Sequence, residues 1–354
     1  MTSAALEIPE DTPEAPEGVL AVDDLRVSFP TDDGRVEAVR GVSYEVHANE
    51  VFAIVGESGS GKSVSTMALM GLLPKTARIS GQAYYRDETL LGRPDREVRA
   101  LRGSKISMIF QDPMTSLNPV YTIGAQLAEA VLAHDRVAPK VAMGRAVEML
   151  DLVGIPQAKK RAKSYPHEFS GGMRQRVMIA MAIINNPDII IADEPTTALD
   201  VTVQAQILET LLDVKDEVGA AIVLITHDLG VVAGVADRVG VMYAGRFVAT
   251  GPVDEIFSNT RMPYTAGLLG SIPELDSDAD HLVPIPGSPP TLINVPDACQ
   301  FAPRCPLAES RCFEGEPLLD VTDQPGHLAA CHRWSTVAEY ADATGLFDPN
   351  RGMV

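Results

Sequence analysis

Positive charge is scarce in this chain: 29 lysines and arginines stand against 48 aspartates and glutamates, for a formal net charge of −19. A nucleic-acid-binding surface needs clustered Lys and Arg, so the balance argues against that class. Electrostatic attachment to anionic lipid is disfavoured for the same reason, and the surplus acid reads as a solubility device. Long apolar runs are missing too. None approaches the ~20 residues that cross a bilayer as a helix. The longest candidates, Met178–Ile184 and Ala220–Ile225, suit a buried helical turn and a buried strand. No basic start followed by an apolar stretch opens the chain, so no secretory signal is expected. Residues 1–17 hold Glu7, Glu10, Asp11, Glu14 and Glu17 without one Lys or Arg. They predict a disordered acidic tail over about residues 1–18. Cysteine is absent before residue 299, and there are four in all. These absences predict a protein kept in the cytoplasm, reaching a membrane only through partner subunits.

What is present is a chain of 354 residues, 45% hydrophobic and 22% charged. That allows one large domain with a smaller appendage, or two ordinary domains. Leu25, Val27 and Phe29 alternate, as do Val42, Tyr44 and Val46 after a Thr31-Asp32-Asp33-Gly34 turn, which predicts strands. Val51–Val55 is a continuous apolar run of the kind buried on both faces of a parallel sheet. Lys62–Leu73 has helical character and stops at Pro74. Residues from about 112 to 186 look mostly helical, with Met173, Val177, Met181 and Ile184 at helical spacing. Asp188–Ala192 and Ala221–Thr226 read as further buried strands, separated by a helix carrying Val203, Ile207, Leu208 and Leu211. Alternating strands and helices predict an α/β fold with a mostly parallel sheet and chemistry at the carboxyl ends of its strands.

Between the Val51–Val55 strand and its helix lies Gly56-Glu57-Ser58-Gly59-Ser60-Gly61-Lys62-Ser63, which fits G-x-x-x-x-G-K-[ST]. Glycines let such a loop approach phosphates in conformations a Cβ would oppose, and the helix adds free N–H groups. Gly56 through Ser63, with Val64 after them, are therefore the expected nucleotide-binding residues. Lys62 is expected on the β- and γ-phosphates and Ser63 on Mg²⁺. By itself the loop says ATP or GTP. Asp193, at the end of the Ile189–Ile191 run, is placed to hold the metal, and Glu194 to polarise an attacking water.

Phe169-Ser170-Gly171-Gly172-Met173-Arg174-Gln175-Arg176 separates one family from other phosphate-loop proteins. A Ser-Gly-Gly before a basic helix, then an acidic strand end, resembles the ATP-binding subunits of ABC transporters. The resemblance implies the fold of an ABC ATPase: a mostly parallel core sheet, an antiparallel β subdomain and a helical subdomain. It implies that Gln111 contacts the metal or its water, alongside Ser63 and Asp193. His227 is similar to the family's histidine on the γ-phosphate, and Phe29 to its aromatic on adenine, with plain strand packing left open for Phe29. Ser170, Gly171 and Gly172 are then expected to close over ATP held by a second ATPase subunit, with Ala198, Leu199 and Asp200 lining the same seam.

Over residues 20–335 the chain further resembles the oligopeptide/dipeptide importer subfamily, through Tyr165–Phe169, Pro263-Tyr264-Thr265, Ile285–Pro290 and Cys299–Pro306. This implies a nucleotide-binding domain at 19–262, its helical part at about 112–186, and a loop-rich C-terminal domain at 263–354. It also implies two transmembrane permease subunits, an extracytoplasmic substrate-binding protein and a place on the cytoplasmic side of the plasma membrane. Nickel or another small solute is the alternative cargo. A soluble ABC ATPase of repair or translation fits less well, because the chain has one cassette and strong negative charge. Cys299, Cys305, Cys312 and Cys331, separated by five, six and eighteen residues, are candidate ligands of a metal centre. Their spacing leaves zinc open but suits a [4Fe–4S] cluster better, as the resemblance also implies.

Overall fold

The computed structural model describes residues 18–112, 116–197, 199–271, 284–339 and 346–347. The expected acidic tail, Ala198 and part of the C-terminal segment lie outside them. β1 (Leu20–Thr31) and β2 (Gly34–Val46) pair antiparallel, with Thr31 opposite Gly34. Leu25, Val27, Val42, Tyr44 and Val46 all point into the core, as period-two alternation requires. β3 (Val51–Val55) leaves for a second sheet, while β4 (Arg78–Tyr85) and β5 (Glu88–Thr89) complete a four-stranded antiparallel one, ordered β2-β1-β4-β5.

The second sheet carries the site. It adds β6 (Ile106–Ile109), β7 (Ile189–Asp193), β8 (Ala221–Thr226), β9 (Arg238–Tyr243), β10 (Arg246–Pro252), β11 (Asp320–Val321) and β12 (Leu328–Ala329). Their order is β11-β12-β10-β9-β3-β8-β7-β6, with β9 through β6 parallel and the other three antiparallel at one edge. β3, β7 and β8 are buried at every residue. Their alternate side chains serve two cores. Ala53, Val55, Ile190, Ala192, Ile222 and Leu224 join the one built with the helical segment. Phe52, Ile54, Ile189, Ile191, Val223 and Ile225 join the one under the antiparallel sheet. A strand sandwiched this way has no polar face, which is why the runs read as uniformly apolar.

Helices Ile123–Leu132, Pro139–Leu152, Ala158–Arg161 and Gly171–Ile183 lie between β6 and β7. The Thr122 and Ser170 hydroxyls cap the first and last by accepting from Ala125 and Met173 N–H, both at 3.4 Å. The helix after the glycine loop is shorter than expected, ending at Leu69 instead of running to Leu73. Gly71 takes φ +58, and the Arg102 guanidinium donates to the carbonyls of Met70 at 2.6 Å and Gly71 at 3.0 Å. A left-handed glycine with its carbonyls satisfied from outside ends the helix before Pro74 can.

The proline- and cysteine-rich segment after residue 262 shares the main sheet and core. β12 pairs with β10, and Glu37 N–H donates to Leu292 O at 2.8 Å. Tyr264, fully buried, packs on Tyr243 and Phe301 with ring centroids 4.5 and 5.4 Å away. Among the described residues, no helix is long and apolar enough to cross a membrane.

Candidate nucleotide site

Parallel register brings the chemistry to one edge. Val55 lies opposite Thr226, Asp193 opposite Ile225, and Ile109 opposite Ala192. The loop after β3, the acidic end of β7, Gln111 after β6 and His227 after β8 therefore emerge together. This is the crevice where ligands of open α/β sheets bind.

Two glycines make the loop possible. Gly56 has φ +149 and Gly61 φ +106; a Cβ would sit 2.1 Å from Met242 O at the first and 2.3 Å from Ala38 O at the second. Lys62 Nζ reaches back across the loop and donates to Gly56 O at 2.8 Å and Glu57 O at 3.0 Å. Burial pushes its pKa below the ordinary lysine value, against the opposing pull of Glu194, Asp193 and Glu57. Among the described residues, the buried Ser60 hydroxyl has no partner and no side chain caps the helix that Lys62 begins. A glycine cradle, an orphaned hydroxyl, a desolvated ammonium and free helix N–H groups together fit a polyphosphate. Ser58 and Gly59 are exposed at the tip, and Val64 packs on the core under the antiparallel sheet.

Ser63 Oγ donates to Asp193 Oδ1 at 2.8 Å. Burial raises the Asp193 pKa, the Ser63 hydrogen bond lowers it, and neighbouring Glu194 raises it further. A hydroxyl and a carboxylate oxygen side by side suit a hard divalent cation. Glu194 itself has φ +47 and is pinned by its N–H to Ile225 O at 2.8 Å. Its Oε2 accepts from Gln111 Nε2 at 2.9 Å and from Thr197 Oγ1 at 2.8 Å, while Oε1 lies 3.3 Å from His227 Nδ1. Gln111, Glu194 and His227 are thus brought together, with Thr197 as a fourth member that sequence reading missed. Its signal was only a hydroxyl three residues beyond the glutamate.

The remaining expected residues stand elsewhere. Phe29 is half-buried and packs on the core under the antiparallel sheet. Ser170 and Gly171 are exposed, and the hydrogen bonds of Ser170 stay within its own helix. Gly172 lies so close to Val203 that a Cβ would come within 2.8 Å of its side chain. Asp200 caps the helix Val201–Val218 by accepting from Val203 N–H at 3.0 Å. The Ser-Gly-Gly turn and the Leu199–Asp200 turn therefore form one outward-facing ledge.

The four cysteines are free thiols lining one cavity of about 20 Å³. Burial raises the pKa of Cys299, and pushes Cys305 and Cys331 up to about 12. Four converging sulfurs are a soft-metal donor set, yet the cavity holds about one water. Among the described residues, no group of three or more His, Cys, Asp or Glu is disposed to hold a metal ion. The donor chemistry fits a metal centre; the geometry does not fit a four-iron cluster.

Glu57 carries contacts that the loop pattern did not reveal. Arg304 donates to both its carboxylate oxygens, at 2.7 and 2.9 Å, and its N–H donates to Tyr264 Oη at 2.8 Å. Pro263-Tyr264-Thr265 and Cys299–Pro306 marked a subfamily in the sequence, but nothing there tied them to the loop.

Two family models match this chain: "ABC transporter" over residues 39–197, and "Oligopeptide/dipeptide transporter, C-terminal region" over 248–312, which includes Tyr264 and Arg304. The chain is 50% identical over 327 residues to the oligopeptide transport ATP-binding protein of Salmonella typhimurium, covering 92% of this chain and 97% of that one. It is 51% identical to the dipeptide transport ATP-binding protein of Bacillus subtilis, covering 93% and 98%. The oligopeptide transport ATP-binding protein of Mycobacterium tuberculosis is 55% identical over 90% of this chain, which spans only 52% of that relative. Among solved structures, a dimeric bacterial ABC transporter cassette aligns with TM-score 0.59 and 28% identity, covering 66% of this chain and 98% of the cassette.

Proposed function

This chain belongs to the ABC transporter family, among its oligopeptide and dipeptide transport ATP-binding proteins, and from that premise we propose that it binds and hydrolyses ATP to drive peptide import. The observation that carries the reading is Glu194. Its carboxylate is held by Gln111, Thr197 and His227 at the strand edge where Ser63 meets Asp193. In this reading the loop from Gly56 to Val64 binds the phosphates, and the half-buried Phe29 turns from its strand packing to stack on the adenine, with plain strand packing as the alternative. Ser63, Asp193 and Gln111 hold Mg²⁺, which when bound shields phosphate charge. Glu194 takes the proton of the attacking water, and His227 orients the terminal phosphoryl group.

One open face remains on such a site. We assign its closure to the Ser170-Gly171-Gly172 ledge of a second ATPase subunit, a paralogue or another copy, with Asp200 at the same seam. What supports this is the exposure of Ser170 and Gly171 and, among the described residues, the lack of hydrogen bonds from the ledge into its own chain's loop. A donor set brought by a second subunit excludes solvent and orients in-line attack. The proposal includes two membrane permeases and an extracytoplasmic binding protein, with the chain on the cytoplasmic face and touching the membrane only through the permeases. The domain division at 19–262 and 263–354, with helical residues 112–186 inside the first, belongs to it as well.

The test is ATP hydrolysis by the complex reconstituted in vesicles, with and without peptide and binding protein. Peptide-stimulated turnover is expected. Lys62→Ala should abolish it and weaken ATP binding at least about tenfold, since charge-assisted hydrogen bonds of ~1.5–3 kcal/mol each are lost. Hydrolysis stimulated by nickel and not by peptide would move the cargo to the alternative reading. A thiolate-ligated centre at Cys299, Cys305, Cys312 and Cys331, iron–sulfur or zinc, is part of the same proposal, and either one requires the four sulfurs to spread from the cavity of about 20 Å³ that they line. Convergence of the four thiols supports it, and metal analysis of anaerobically purified protein decides it: a colourless, metal-free chain removes the centre.

A further inference from the structure

The phosphate loop contains a carboxylate. Glu57 is the first residue after Gly56, its carbonyl accepts from Lys62 Nζ at 3.0 Å, and its charge is felt at the Lys62 ammonium. An acidic side chain there opposes a polyphosphate and competes for the lysine that should meet it. Its counter-charge comes from far along the chain. Arg304, 247 residues away, grips Glu57 through two parallel N–H···O bonds at 2.7 and 2.9 Å. The guanidinium has only 5% of its side chain exposed. Its Nε donates to Pro286 O at 2.8 Å, and it lies 5.8 Å from the ring centroids of both Tyr243 and Phe301. On the main-chain side, fully buried Tyr264 takes the Glu57 N–H at 2.8 Å.

We propose that Arg304 is a positioning residue for nucleotide binding: it neutralises Glu57 and so keeps the loop and Lys62 available to the phosphates, making ATP affinity depend on the docked C-terminal segment. The pairing is bidentate and mostly desolvated, the geometry in which an arginine does what a lysine cannot. Tyr264 fixes the backbone of the same residue, so Glu57 is held from two sides by the segment after residue 262. Tyr243, at the end of β9, supplies a third contact, its hydroxyl lying 3.3 Å from Arg304. The proposal rests on the ATP-binding reading above.

The experiment compares Arg304→Met, Glu57→Gln and the double variant in the full chain. Mg·ATP affinity is measured by titration, and KM and kcat in the assembled complex. Arg304→Met keeps the stem between the two rings but leaves the carboxylate uncompensated. Its Kd and KM for ATP should rise roughly tenfold, the scale of one unscreened charge near a polyphosphate, with kcat changed far less. Glu57→Gln alone should lower KM, because a carboxylate leaves the phosphate loop, and added to Arg304→Met it should restore affinity. Opposite signs for the two single variants distinguish charge compensation from docking, because loss of packing raises KM in both. An unchanged KM in Arg304→Met, or a loss that Glu57→Gln does not relieve, overturns the proposal. If Arg304→Met does not fold, Glu57→Gln decides alone: an unchanged or raised KM overturns it. A natural chain that fails to bind ATP sinks the parent reading instead.

Discussion

Replacing Glu194 by glutamine changes one terminal oxygen to an NH₂ group and removes one negative charge. The amide oxygen can take the place of Oε2, accepting from Gln111 at 2.9 Å and Thr197 at 2.8 Å as before. The NH₂ group then faces His227 Nδ1 across 3.3 Å, and the imidazole accepts through its unprotonated nitrogen. Each hydrogen bond survives, so folding stability should shift by less than about 1 kcal/mol. The left-handed φ of +47 is no harder for glutamine than for glutamate. What is lost is the ability to take a proton from water. General-base assistance contributes ~10²–10⁴ in rate, about 3–5 kcal/mol of barrier. ATP affinity should hold or improve, because a carboxylate no longer faces the phosphates. The assay is single-turnover hydrolysis in the assembled complex, with ATP titration and size-exclusion chromatography of the nucleotide-bound protein. A slow, tightly bound, closed pair of ATPase subunits is expected. A variant that turns over ATP at nearly the natural rate would falsify the role given to Glu194, and so would affinity falling in step with rate.

Gly61→Ala should weaken ATP binding by two orders of magnitude or more while the sheet stays intact. Its Cβ would lie 2.3 Å from Ala38 O at φ +106, and displacing the loop costs about 3 kcal/mol; circular dichroism and ATP titration check the two halves. Stability should fall on acidification through a single buried imidazole. His327 is 1% exposed with neither ring nitrogen partnered among the described residues, and burial, aided by Arg261, pushes its pKa down to about 4. The unfolded chain therefore binds the proton first, so stability should decline from about pH 6.5 to about pH 4 and level off below. Calorimetric Tm against pH should show that slope, and His327→Gln should flatten it; an identical slope in the variant would assign it to other groups.

Local sequence determined the elements that need no distant partner. The glycines at 56 and 61, the uniformly apolar Val51–Val55 and Ile189–Ala192 runs, and the cap at Ser170 each state a backbone requirement within a few residues. A buried parallel strand has no polar face, and a phosphate loop cannot carry a Cβ at two of its positions. That is why Lys62, Ser63, Asp193 and Glu194 were legible as one site. Only the tertiary structure decided what depends on register and docking. The parallel alignment of β6, β7 and β8 brings Gln111, Thr197 and His227 onto the same carboxylate. Arg102, about thirty residues further along, reaches across to end the helix that follows the loop. Arg304 and Tyr264 pass for a subfamily signature until the chain folds and sets them against Glu57. Such pairings join residues far apart in sequence, and spacing along the chain carries no trace of a contact made across it.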